Sequence, residues 1–173
     1  LPIYADRSFD RARNIRYFRI TKWVTDRKEN SLEKLVNVYQ VLSGEPCNIA
    51  LVFNRTRTGT NVYLGISNIL NAISNTVADD LEKRLVAALQ GNFPGTEISN
   101  PSGTGTVPCL EHMDRCTVAC VSNVPAEKSE KFVSQTIEKL LDGMSPDIRS
   151  EEYTLILLAT PVVAILDYIY KAS

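Results

Sequence analysis

The residue types richest in chemistry are crowded into one short stretch: Cys109, His112, Cys116 and Cys120 place the only histidine and three of the four cysteines within twelve residues. Thiolates and a neutral imidazole are zinc ligands, so a tetrahedral metal site is the first chemistry to weigh. The spacing C-x2-H-x3-C-x3-C matches none of the usual paired-ligand patterns. If Cys116 to Val121 is a strand, Cys116 and Cys120 share a face about 13 Å apart at ~3.3 Å per residue and cannot bind one ion. Ordinary buried thiols are the favoured reading, and a metal-dependent enzyme using the Cys109–Cys120 cluster is the rival. Four cysteines without secretory features fit a reducing, cytoplasmic compartment, with a disulfide of the Cys47–Cys120 type left open.

Other catalytic patterns fall short of what their chemistry needs. Ser102-Gly-Thr-Gly-Thr106 and Arg55-Thr-Arg-Thr-Gly-Thr60 have glycines that would let backbone N–H groups approach a phosphate. Neither has the Lys-Ser/Thr pair of a nucleotide loop, and neither lies between a strand and a helix, so they read as a flexible connection and a hairpin tip. Nucleophilic catalysis through histidine would have to use His112, and no nucleophile elbow accompanies it. The carboxylate pairs Asp79-Asp80 and Glu151-Glu152 fall at a helix start and in a polar linker, where capping and solvation account for them. No catalytic residue, metal or cofactor is expected. Asn54-Arg-Thr56 fits the glycosylation triplet, and the expected compartment argues against its use.

Composition excludes further classes. With 173 residues, 44% hydrophobic and 23% charged residues and a net charge of −1, the chain has the makeup of a globular domain and no global preference for nucleic acid or membranes. It has no run of eighteen apolar residues, so no membrane span is expected. It opens on Leu1 without a signal-peptide pattern and reads as a fragment or processed chain. Charge is graded: Arg7, Arg11, Arg13, Arg16, Arg19 and Lys22 face only Asp10 in the first stretch, whereas 124–173 carries five basic and eight acidic residues. The basic residues, interleaved with Tyr17, Phe18 and Trp23, have the composition of a nucleic-acid surface. In a strand Arg16 and Arg19 point to opposite faces, so a basic outer face or contact with an acidic neighbouring subunit is the preferred reading. The candidate interaction surface is Arg13, Arg16, Arg19 and Lys22 with Arg55 and Arg57.

The elements that position these residues follow from periodicity. Residues 1–14 read as a lead-in, and Ile15 to Ile20, continued by Trp23 and Val24, as a first strand. Asn30 and Glu33 resemble a capping box opening a helix over 31–43, with Leu32, Leu35, Val36, Tyr39 and Leu42 at helical spacing and Gly44 as its stop. Asn48–Asn54 and Asn61–Ser67 read as a hairpin with a long basic tip at 55–60. Asn68 to Asn75 is a loop or a helical turn. A second helix spans 76–90, with Thr76 as N-cap, Leu81, Leu85, Ala88 and Leu89 buried and Glu82, Lys83 and Arg84 wet; Asn92-Phe-Pro-Gly95 then turns the chain into another extended segment. Strands at 107–113 and 116–121, a helix at 125–142 and a helix from Val162 complete the pattern. Tyr153–Ala159 lacks polar alternation and reads as a central strand covered on both faces. The order predicts an α+β domain over 15–173 with a mixed or antiparallel sheet. A ferredoxin-like βαββαβ unit is followed by β-β-α-β-α elements, with 15–99 and 107–173 as two candidate sub-layers.

Asn61-Val-Tyr-Leu-Gly-Ile66, the Leu81–Gly91 helix, Asn92-Phe-Pro-Gly95 and the Tyr153–Pro161 strand together resemble the N-terminal region of bacterial HerA/FtsK-type ATPases, the group of DNA-translocating and conjugation or secretion motors. The resemblance covers about Arg16 to Ser173 and implies an accessory domain that precedes a motor core and helps assemble a ring or bind a partner. It carries no catalytic residue onto this chain, which has neither a Walker A sequence nor a clear Walker B acid. A non-catalytic assembly domain that self-associates or binds another protein subunit is therefore expected, with a nucleic-acid-binding module, DNA being a possible ligand, as the alternative.

Overall fold

The computed structural model describes residues 8–24, 31–99, 103–111, 116–120 and 152–160. In chain order they form α1 (Arg11–Asn14), β1 (Ile15–Lys22), α2 (Ser31–Gln40), β2 (Cys47–Thr56), β3 (Gly59–Asn68), α3 (Thr76–Asn92), β4 (Glu97–Ile98), β5 (Gly103–Thr104), a 3-10 turn at Pro108–Leu110 and β6 (Tyr153–Ala159). The fold is α+β, and every strand pairing is antiparallel, in the order β4-β1-β3-β2-β6 with β5 also against β1.

Alternation in the central strands decides which face is buried. Phe18 and Ile20 of β1, Ile49, Leu51 and Phe53 of β2, and Leu64 and Ile66 of β3 meet Val38 and Leu42 from the α2 segment and Leu81, Leu85 and Leu89 of α3. Phe93 closes this core, with Trp23 edge-on to it at 5.4 Å. The buried stripe of α2 is centred on Val38, so Val36 is 45% exposed, contrary to the sequence reading.

Helix α3 runs one residue past Gly91 and is closed by Phe93 N donating to Leu89 O at 2.8 Å and by Asn92 Nδ2 donating to Ala88 O at 2.9 Å. The expected turn follows: Thr96 N donates to Phe93 O at 3.1 Å, with Pro94 fixing one central φ and Gly95 taking φ +83. At the other end Asn75, not Thr76, is the N-cap, and its side chain makes no capping bond. Ser74 Oγ accepts from Thr76 N at 3.2 Å instead.

Several expectations are corrected. The hairpin tip is short, because the ladder runs on to Thr56↔Gly59 and leaves only Arg57 and Thr58 in the turn. Residues 108–110 form a 3-10 turn rather than a strand: Pro108 has no N–H for a ladder and presets φ for a turn. Residues 117–120 have no regular structure. The Tyr153–Ala159 strand is not central: among the described residues it pairs only with β2, at one end of the sheet order. Leu155 and Leu157 pack on the core, but Ile156 and Leu158 on the opposite face are 38% and 65% exposed. The expected helices at 125–142 and from Val162, and His112, lie outside the described residues.

Candidate interaction surface

The polar centre of the molecule is a set of asparagines at one end of the sheet. Asn14 and Asn68 are 0% and 1% exposed. Asn14 Nδ2 donates to Asp10 O and to Asn71 Oδ1, both at 2.9 Å, while Asn14 Oδ1 accepts from Ala72 N at 2.8 Å and Asn68 Nδ2 at 3.1 Å. Both donors and both acceptor positions of that amide are thus used. Asn68 Oδ1 accepts from Leu70 N at 3.2 Å, and Asn71 Nδ2 donates to Ser8 O at 3.0 Å. Asn71 has φ 49, the only positive φ at a non-glycine among the described residues; asparagine is one of the few residues that tolerates it.

This network fixes the backbone between β3 and α3, and that backbone carries Ile69, Leu70 and Ile73, which are 47%, 69% and 90% exposed; Val77, in the first turn of α3, is 41% exposed. Three aliphatic side chains therefore stand in water on a segment held by hydrogen bonds at Leu70 N and Ala72 N. Sequence reasoning missed them because an apolar residue defaults to the core. The signal available was their lack of helical or strand period within an asparagine-rich linker.

Beside this loop, the face of the sheet opposite α2 and α3 holds an apolar groove of about 460 Å³. The register explains it. Tyr17 of β1, Gly65 of β3, Ala50 of β2 and Leu158 of β6 form one row across the sheet, so the two central positions carry the smallest side chains and the outer two the largest. Val52 forms its buried floor, Ile15 and Ile156 its walls, and Val107 and Leu110 cover it from the segment after β5. Next to the groove, polar side chains link four strands: Arg19 Nη2 donates to Asn61 Oδ1 at 2.6 Å, Asn61 Nδ2 to Asn54 Oδ1 at 3.4 Å, and Asn54 Nδ2 to Thr154 Oγ1 at 3.1 Å. Tyr17 and Tyr63 meet edge-to-face there at 6.3 Å. Burial, followed by the Glu111 carboxylate, pushes the Tyr17 phenol up.

The six basic residues singled out in the sequence are not brought together. Arg13 is exposed and paired with Asp10 at 3.1 Å. Arg16 is buried, its Nε bound to Asp79 at 2.7 Å and its Nη1 to the carbonyls of Ala12 and Ile15, so it is a structural residue and not part of a surface. Arg19 is exposed on the face opposite α2 and α3. Lys22 pairs with Glu97 at 3.0 Å, and Arg55 Nη1 donates to Thr60 at 2.9 Å. Arg57 is exposed in the hairpin turn. The register sets Lys22, Arg55 and Arg57 at the hairpin end of the sheet and Arg13 at the other.

All four cysteines are thiols, so no Cys47–Cys120 disulfide exists. Cys47 is buried, and burial followed by the Glu45 carboxylate pushes it up, with Arg84 opposing. Cys109 is half-buried and likewise raised by burial, partly offset by backbone and Thr154 hydrogen bonds; Cys116 and Cys120 are exposed. Among the described residues no group of three or more His, Cys, Asp or Glu side chains could hold a metal ion. None of their helices is long and apolar enough to cross a membrane. No family model, curated protein or solved structure matches this chain.

Proposed function

We propose that this chain is a non-catalytic interaction domain of the cytoplasm, an assembly module of the kind that precedes the motor core in HerA/FtsK-type ATPases, with ATP hydrolysis belonging to that separate core. One observation carries the reading: Ile69, Leu70 and Ile73 stand exposed on a loop held by the buried Asn14–Asn68 network. Exposed apolar side chains on a held backbone are what a protein partner covers, because desolvating them on association is favourable and little ordering entropy is lost. We further propose a ferredoxin-like unit for β1-α2-β2-β3-α3-β4. It is supported by the order β4-β1-β3-β2, in which β3 lies between β1 and β2 and is antiparallel to both.

The second reading, a nucleic-acid-binding module, is favoured by Arg19 lying beside Tyr17 and Tyr63 on the face opposite α2 and α3, since aromatic rings stack bases and guanidinium groups meet phosphates. Sedimentation equilibrium over a range of protein concentrations, with and without DNA, separates the two. The assembly reading expects association without DNA, lost on Leu70→Ser with Ile73→Ser. A protein that stays monomeric and binds DNA through Arg19 would replace it with the second reading.

A further inference from the structure

We infer that residues 8–14 form a detachable polar strap, and that its closure sets the shape of the loop carrying Ile73 and so controls the surface offered to a partner. Apolar burial contributes little to holding the strap down. Asn14 is the one buried residue of α1, and Phe9, half-buried, is neither in the hydrophobic core nor among the side chains packed against it. Hydrogen bonds hold it instead. Asp10 N and Asn14 Nδ2 donate to Asn71 Oδ1 at 3.1 and 2.9 Å, Asn71 Nδ2 donates to Ser8 O at 3.0 Å, and Arg16 Nη1 donates to Ala12 O at 2.8 Å. Each such bond replaces one that water would make, so its net contribution is small, and a segment held in this way opens while the core stays closed.

One end of the loop depends on the strap and the other does not. Among the described residues, all three hydrogen bonds of the Asn71 side chain go to residues 8–14, and the Ala72 N–H is taken by Asn14 Oδ1 at 2.8 Å. Lifting the strap removes these partners together. It also removes what holds Asn71 at φ 49, a conformation that costs free energy for a residue with a side chain. Asn71 then relaxes towards negative φ, and the path of the chain through Ala72 and Ile73 changes with it. Ile69 is anchored independently, its N–H donating to Pro46 O at 3.0 Å. A partner that recognises the closed loop favours the closed strap by the same free energy with which the closed strap favours the partner. That control rests on the assembly reading; the opening of the strap does not.

The test is native-state hydrogen exchange of the whole chain, followed amide by amide by NMR, for the natural sequence and for Asn71→Gly, which accepts positive φ but lacks the three side-chain bonds. At low protein concentration the Asp10 and Ala72 amides, on the two sides of the contact, are expected to share one opening constant, about tenfold or more larger than that of Leu51 and Leu64 in the central strands. Asn71→Gly should raise the shared constant about tenfold or more and leave Ile69, Leu51 and Leu64 unchanged. Exchange of Asp10 and Ala72 at the constant of Leu51 and Leu64 would overturn the strap, and so would protection kept at Ala72 while Asp10 exchanges freely. The control is read by repeating the exchange at a free protein concentration ten times the dissociation constant found by sedimentation, where opening at Asp10 should slow about tenfold. Unchanged exchange at Asp10 in a chain that associates would overturn the control and leave the assembly reading standing. A natural chain that stays monomeric at all concentrations would remove the assembly reading and the control together, while the low-concentration exchange still decides the strap.

Discussion

Arg16 Nε lies 2.7 Å from Asp79 Oδ1, joining the start of β1 to the first turn of α3. The guanidinium is 5% exposed and the carboxylate 44%. The same arginine donates Nη1 to Ala12 O at 2.8 Å and Ile15 O at 2.9 Å, so one cation satisfies the last carbonyls of α1 and anchors the positive end of α3 through its acid. Removing the acid strands the cation. Asp79→Ala is expected to lower stability by about 1–3 kcal/mol, less than for a fully buried pair because water reaches the carboxylate. Arg16→Met in the same chain should recover part of that loss. Urea unfolding of the two single variants and the double variant measures it, and a change within about 0.5 kcal/mol for Asp79→Ala would make the pair an ordinary surface contact.

Asn14 is expected to be the costliest polar position among the described residues. Asn14→Ala leaves Ala72 N–H and the Asn68 amide without their acceptor in a buried site, for a loss of roughly 2–4 kcal/mol. Hydrogen exchange at the Ala72 amide should accelerate with it. At Asn71 the left-handed φ separates two contributions: Asn71→Gly loses the hydrogen bonds alone, and Asn71→Ala adds about 1 kcal/mol of backbone strain. Equal stability of the Gly and Ala variants would contradict the conformation assigned to this loop.

Gly103 lies directly against the Tyr17 ring, where an added Cβ would fall 2.0 Å from Tyr17 Cζ. Gly103→Ala must displace either the ring or the β5 pairing and is expected to cost about 1–3 kcal/mol. Combined with Tyr17→Ala it should cost far less than the sum of the two, because the clash has gone. Additive losses in the double-mutant cycle would sink this account.

Tyr39 supplies a pH dependence. Burial pushes its phenol from the ordinary value of 10.0 up to about 12. The unfolded chain loses this proton near pH 10 while the folded one keeps it, so the stabilisation is complete below pH 10 and is lost as pH rises towards 12. The loss is at most about 2–3 kcal/mol. Other tyrosines and the lysines titrate in the same window, so the measurement is the difference in unfolding free energy between the natural chain and Tyr39→Phe at pH 9 and pH 11. The variant should show the shallower fall, and parallel curves would refute the assignment.

What the sequence determined by itself is local. The stripe Leu81, Leu85, Leu89, the alternation of Ile49, Leu51 and Phe53, and the Pro94-Gly95 turn were all legible, because each reports a backbone period or a φ preference that needs no partner. The opposite orientations of Arg16 and Arg19 were legible for the same reason. Only tertiary structure decided what each face meets. Arg16 turns from a surface residue into a buried one because α3 brings Asp79 to it. Glu97–Ile98 and Gly103–Thr104 become strands because β1 offers them a free edge, and two residues have no period to read. The apolar Tyr153–Ala159 run ends the described sheet instead of filling its centre, since hydrophobicity shows that a strand seeks cover but not which neighbours chain topology provides. Leu70 and Ile73 are exposed for the converse reason: the Asn14 amide holds their backbone in a position from which the core cannot be reached, and that geometry exists only once residues 14, 68 and 71 have met.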